Sequence, residues 1–125
     1  MRTLIHFKAT VLIVDDEPLM LRAIRHILER LEYNVLVANS GVEALAIVRD
    51  YPSPLHLLIS DVTMPDMNGF ELAQKLTNLL PSLKVIFTTG YLVEGMDISP
   101  QKAQFIQKPF SEQELETKVR ESLNS

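Results

Sequence analysis

The stretch Leu55–Gly69, LHLLISDVTMPDMNG, decides how the chain reads. Leu55, Leu57, Leu58 and Ile59 form a short, nearly continuous apolar run, the pattern of a strand buried on both faces, and it stops abruptly at the carboxylate of Asp61. In open α/β sheets ligands bind in the crevice outside the carboxyl ends of the strands, so Asp61 stands where chemistry is done. An ordinary strand-ending Asp that caps a turn has the same local signature, and the neighbours must separate the two readings. Met64-Pro65-Asp66-Met67-Asn68-Gly69 follows as a loop punctuated by Pro and Gly, with Met64 and Met67 expected on its exposed side or packed within it.

Working outward, Val11–Val14 is β-branched and apolar, and it too ends at acids, Asp15, Asp16 and Glu17. Pro18 suits the first turn of a helix, and Leu21, Ile24, Leu28 and Leu31 continue at helical spacing. A second strand is expected over Tyr33–Ala38, and Ser40 with Glu43 reads as a capping box for the helix of Val42, Leu45 and Val48. After Asp61 a helix beginning near Gly69 or Phe70 runs through Leu72, Ala73, Leu76 and Leu79 to Pro81. Lys84–Thr89 gives a fourth strand. Tyr91–Gln104, interrupted by Gly95 and Pro100, supports a short or irregular fourth helix. Phe105–Gln107 is a short fifth strand ending at Lys108-Pro109, and Ser111 with Glu114 opens a last helix through Leu115, Val119 and Leu123.

Five alternations of strand and helix with short connections require a parallel sheet covered on both faces by right-handed crossovers. The expected architecture is a flavodoxin-like (βα)5 three-layer sandwich with strand order 2-1-3-4-5, residues 1–10 forming an N-terminal extension and 11–124 a single domain. That order sets the first and third strands side by side at the switch point, with Asp15 and Asp16 beside Asp61.

Composition narrows the classes. A chain of 125 residues, 46% hydrophobic and 22% charged, has the size and balance of one globular domain. No apolar run approaches the roughly 18 residues of a membrane span, so a soluble, cytoplasmic protein is expected. The net charge of −4 argues against direct nucleic-acid binding. With no Cys there is no thiolate nucleophile or thiolate metal site.

Three carboxylates at adjacent strand ends repel one another unless a cation is supplied. All-oxygen ligands point to Mg2+, with Mn2+ as the alternative, over zinc. Lys108 adds a point positive charge and Thr89 a hydroxyl donor, so together they describe an anion site next to Asp61. A phosphoryl group fits, because its transfer needs charge neutralisation and in-line positioning more than acid–base chemistry. Asp61 is then the nucleophile of an aspartyl phosphate.

VLIVDDEP, LLISDVTMPDMNGFELA, KVIFTTGY and FIQKPF, in this order over about residues 10–123, resemble the receiver domain of two-component response regulators, most of all the receivers of hybrid histidine kinases. The resemblance implies that Asp61 is the phosphoacceptor and Asp16 a direct metal ligand, with Asp15 acting through water and the Thr63 backbone carbonyl completing the protein's share. It also implies a contact from Lys108 to the phosphoryl group, a cis Lys108-Pro109 bond, and switch roles for Thr89 and Phe105; Phe105 as plain core is the competing reading. The implied donor is a histidine kinase or a histidine phosphotransfer protein, and the implied state a monomer or weak dimer. The interval from Thr89 to Lys108 is shorter than receivers usually have, and Tyr91, at a position that tunes water access, implies slow loss of the phosphoryl group. Two other functions share parts of this pattern. A Mg2+-dependent aspartyl-phosphate phosphatase would want an acid where Thr63 stands, and a pseudo-receiver that binds partners without phosphorylation would not need the full set of acids, hydroxyl and lysine.

Overall fold

The computed structural model describes residues 8–90 and 103–125. Its strands are β1 (Thr10–Val14), β2 (Asn34–Ala38), β3 (Leu57–Asp61), β4 (Lys84–Thr89) and β5 (Gln104–Gln107). They form one parallel sheet in the order β2-β1-β3-β4-β5, the order expected from the sequence. The helices are α1 (Pro18–Arg30), α2 (Gly41–Asp50), α3 (Gly69–Leu79) and α4 (Glu112–Leu123). The irregular helix expected over residues 91–104 falls almost wholly outside the described residues, as does Tyr91.

Alternation along the strands builds two cores. Leu12, Val14, Leu58, Val85 and Phe87 point to one face, where Ala44 of α2 and Leu72, Ala73 and Leu76 of α3 cover them. Val11, Ile13, Leu57, Ile59, Ile86 and Ile106 point to the other, under Ile24 and Leu28 of α1 and Leu115 and Val119 of α4. Each such side chain is worth roughly 1.5–3 kcal/mol when fully buried. The continuous apolar runs of β1 and β3 are therefore the mark of a sheet covered twice.

Several boundaries move by one or two residues. Leu55 is buried but precedes β3, and β2 begins at Asn34 because α1 ends in a tight turn. There the Tyr33 N–H donates to the Leu28 carbonyl at 3.1 Å and the Glu32 N–H to the Glu29 carbonyl at 2.9 Å, with Glu32 left-handed at φ 71°. The Ser40 side chain accepts from the Glu43 N–H, but the Glu43 carboxylate accepts from the Asn39 N–H and not from Ser40. A full capping box forms at Ser111 and Glu114, as expected, and another at Asn68 and Glu71. The loop after Asp61 is exposed at Thr63, Pro65, Asp66 and Asn68 but tucks in its two methionines. Met64 is 7% exposed and Met67 packs against the α2–α3 core, because their flexible side chains fill the space between those helices.

Candidate functional site

The candidate acids, Thr89 and Lys108 lie at the carboxyl edge of the sheet. Asp15 directly follows β1, and its N–H donates to the carbonyl of Ala38, the last residue of β2, at 3.2 Å. Its side chain is buried: Oδ1 accepts from the Glu17 N–H at 2.9 Å and Oδ2 from Lys108 Nζ at 2.9 Å. Asp16, one residue on, is exposed. Asp61 closes β3 in register with Thr88 of β4. Its Oδ1 accepts from the Thr63 N–H at 3.4 Å, and its Oδ2 lies 3.6 Å from Lys108 Nζ.

The backbone at Asp61 is fixed from both sides. The Ser60 hydroxyl donates to the Asp61 carbonyl at 2.9 Å. Gly69, the first residue of α3, sits so close that a Cβ there would lie 2.3 Å from the same carbonyl oxygen, which only glycine avoids. Lys108 is aimed from the end of β5, where its N–H donates to the Thr89 carbonyl at 2.8 Å and its bond to Pro109 is cis. Thr89 closes β4 and is 6% exposed.

Carboxylate oxygens of Asp15, Asp16 and Asp61 all lie within 4.8 Å of one another. Burial pushes the Asp61 carboxyl above its ordinary range; the charges of Asp15 and Asp16 push the same way, while Lys108 and the Thr63 N–H oppose them. Burial pulls Lys108 down, but its hydrogen bond and charge contacts with Asp15 and the charge of Asp61 outweigh it and hold the ammonium above its ordinary value. Three acids and one partly buried ammonium leave the pocket short of positive charge. A hard cation on oxygen ligands fits that donor set.

Phe105 lies half-buried on β5, opposite Phe87 in the ladder, with ring centroids 5.4 Å apart. Phe70 of α3 stands edge-on to Phe87 at 4.8 Å and to Phe105 at 6.3 Å. Sequence reading placed Phe70 and Phe87 in a helix and a strand without linking them to Phe105. Only the β4–β5 register and the seat of α3 bring the three rings together. It missed Asp66 as well, whose carboxylate crosses from this loop to α2, accepting from the Val42 N–H at 2.8 Å and the Gly41 N–H at 3.3 Å. The one local signal was an acid inside the loop that follows the candidate nucleophile.

Comparison with known proteins agrees with this geometry. The family model described as response regulator receiver domain matches residues 11–120. The chain is 38% identical over 118 residues to the sensor kinase CckA of Brucella abortus, covering 92% of this chain and 12% of the kinase. It is 30% identical over 116 residues to the response regulator receiver protein CpdR of the same organism, covering 90% of this chain and 95% of that one. Among solved structures, a CheY-like response regulator receiver domain protein from Methanospirillum hungatei superimposes with a TM-score of 0.83 at 32% identity, over 94% of this chain and 95% of the other. The chain thus spans nearly the whole of one relative and about an eighth of another. No helix among the described residues is long and apolar enough to cross a membrane.

Proposed function

The chain belongs to the response regulator receiver family, domains that serve two-component signalling as phosphoacceptors, and on that premise we propose that its acceptor is Asp61. The observation that carries the assignment is the position of Asp61 at the end of β3, its carboxylate sharing the Lys108 ammonium with the buried Asp15. An Asp61 carboxylate oxygen attacks the phosphorus of a phosphohistidine. The N–P bond breaks, the imidazole leaves with the bond's electron pair and takes up a proton, and an acyl phosphate remains. Lys108 Nζ neutralises charge on the incoming oxygens, and the Thr89 hydroxyl donates to one of them. Asp16, Asp61 and the Thr63 backbone carbonyl, with Asp15 through a water, would hold Mg2+ or Mn2+, which when bound offsets the negative charge of acceptor and phosphoryl group.

On this reading Thr89 and Phe105 carry the response. Thr89 turns toward the new anion, and Phe105, on the adjacent strand, shifts against Phe87 and Phe70. The identity with a sensor kinase supports a place among the receivers of hybrid histidine kinases, with a histidine kinase or a histidine phosphotransfer protein as donor. Such donors are phosphorylated inside the cell, so we place this receiver unit in the cytoplasm, and we take it to work as a monomer or weak dimer.

The test is direct. Incubated with Mg2+ and acetyl phosphate, the wild type gains the mass of one phosphoryl group and Asp61→Asn gains none. An unmodified wild type refutes the assignment and leaves a phosphorylation-independent module in its place.

A further inference from the structure

The loop between β3 and α3, residues 62–68, carries the Thr63 carbonyl, and three attachments hold it. At its start the Val62 N–H donates to the Thr88 carbonyl at 3.0 Å, and the Val62 carbonyl accepts from the Gly69 N–H at 2.8 Å. At its end Asn68 caps α3, exchanging bonds with Glu71. The third attachment leaves the loop. Asp66 takes the N–H groups of Val42 and Gly41, two of the first-turn donors of α2 that no helix can satisfy internally. Those amides, together with the N–H of Met67, hold the Asp66 carboxyl below its ordinary range, the bond from Val42 contributing most. Beside it Met67 lies against Gly41 so closely that a Cβ there would fall 2.3 Å from Met67 Cγ. The contact continues to the far wall of the acid pocket, because the strand before α2 ends at Ala38, whose carbonyl holds the Asp15 N–H.

We propose that Asp66 is a positioning residue for the cation site: by tying its loop to the start of α2, it sets the Thr63 carbonyl relative to Asp16 and Asp61. The inference rests on the metal reading of the preceding subsection. Asp66 acts through the loop and touches neither the ion nor the phosphoryl group. Groups that orient metal ligands typically change metal affinity by roughly 10–100-fold when removed.

Mg2+ titrated into the full chain, with the amide shifts of residues 61–66 followed by NMR, tests this without any phosphoryl transfer. Asp66→Ala is expected to bind Mg2+ about tenfold more weakly than wild type. Asp66→Asn, which removes the charge but keeps one acceptor oxygen, is expected to fall between the two. Phosphoryl uptake by Asp66→Ala recovers at saturating Mg2+. Equal affinities for wild type and Asp66→Ala overturn the proposal. So does an Asp66→Asn as weak as Asp66→Ala, since charge alone then accounts for the loss. If Asp66→Ala fails to fold, Asp66→Asn against wild type decides: an unchanged affinity overturns the proposal and a partial loss sustains it. A wild type whose shifts ignore Mg2+ overturns the metal reading itself, a result separable from the other two because it appears before any substitution.

Discussion

The two ends of the sheet are built from opposite chemistry. At the amino edge backbone and side-chain polar groups answer one another. The Thr10 N–H donates to His56 Nδ1 at 2.9 Å, the His56 N–H to the Thr10 carbonyl at 3.0 Å and the Lys84 N–H to the His56 carbonyl at 3.1 Å. The Thr10 hydroxyl meets the Tyr51 hydroxyl at 3.3 Å. At the carboxyl edge three acids crowd around one lysine. The first arrangement ties β1 to β3 and stabilises the fold, since paired buried polar groups contribute modestly and unpaired ones cost more. The second holds like charges together and leaves a demand for a cation. One end of the sheet serves stability, and the other gives some of it up for chemistry.

The sharpest way to break this contrast is Lys108→Ala. It strands the buried Asp15 carboxylate and is expected to destabilise the chain by about 2–3 kcal/mol in urea, below the usual figure for a buried pair because Lys108 keeps 18% side-chain exposure. Added Mg2+ should restore part of that loss, and an equal loss with and without Mg2+ would show that no cation can substitute for the ammonium. At the other edge, His56→Ala leaves the buried Thr10 N–H without its acceptor. The expected cost is about 1–2 kcal/mol, with Mg2+ affinity unchanged. A shift in Mg2+ affinity would mean that the two edges are coupled through β1 and β3.

The smallest effect has the opposite sign. Asp61→Asn removes a carboxylate whose pKa is raised by burial and by its acidic neighbours, and it should stabilise the metal-free chain by about 1 kcal/mol. The pH dependence follows from the same shift. The folded chain holds the Asp61 proton to higher pH than the unfolded chain does, so this group's contribution to stability declines as pH rises from the ordinary carboxylate range through the raised value. Metal-free wild type should show that decline, and Asp61→Asn should lack it. Asp66 contributes with the reverse slope, because its depressed pKa gives stability above the ordinary range that is lost on acidification.

Much of the site was legible because its residues end strands. The apolar runs before Asp15 and Asp61 announce buried parallel strands, and a carboxylate directly after such a run has to sit at the rim. Lys108 was readable for the same reason, after Phe105–Gln107. Asp66, Phe70 and Phe87 were not, since each works with a partner that no local pattern names: Asp66 with amides of α2, and the two rings with Phe105. Met64 and Met67 took the packed alternative that the sequence left open: Pro65, Asp66 and Asn68 are exposed as their polarity suggests, while the two methionines turn into the core beneath them.

By itself the sequence determined which chemical groups stand at each strand end and, through the period of its apolar residues, that a doubly covered parallel sheet must carry them. Only the tertiary structure decided their company. With β1 between β2 and β3, as the sequence led one to expect, Asp15 and Asp61 share one ammonium from the end of β5, and the tertiary structure gave that ammonium to Asp15 at 2.9 Å in preference to Asp61 at 3.6 Å. The physical reason is range. Periodicity and capping act over a few residues and are written locally, whereas Coulomb attraction and ring packing depend on distances that exist only once strands far apart in sequence have taken their register.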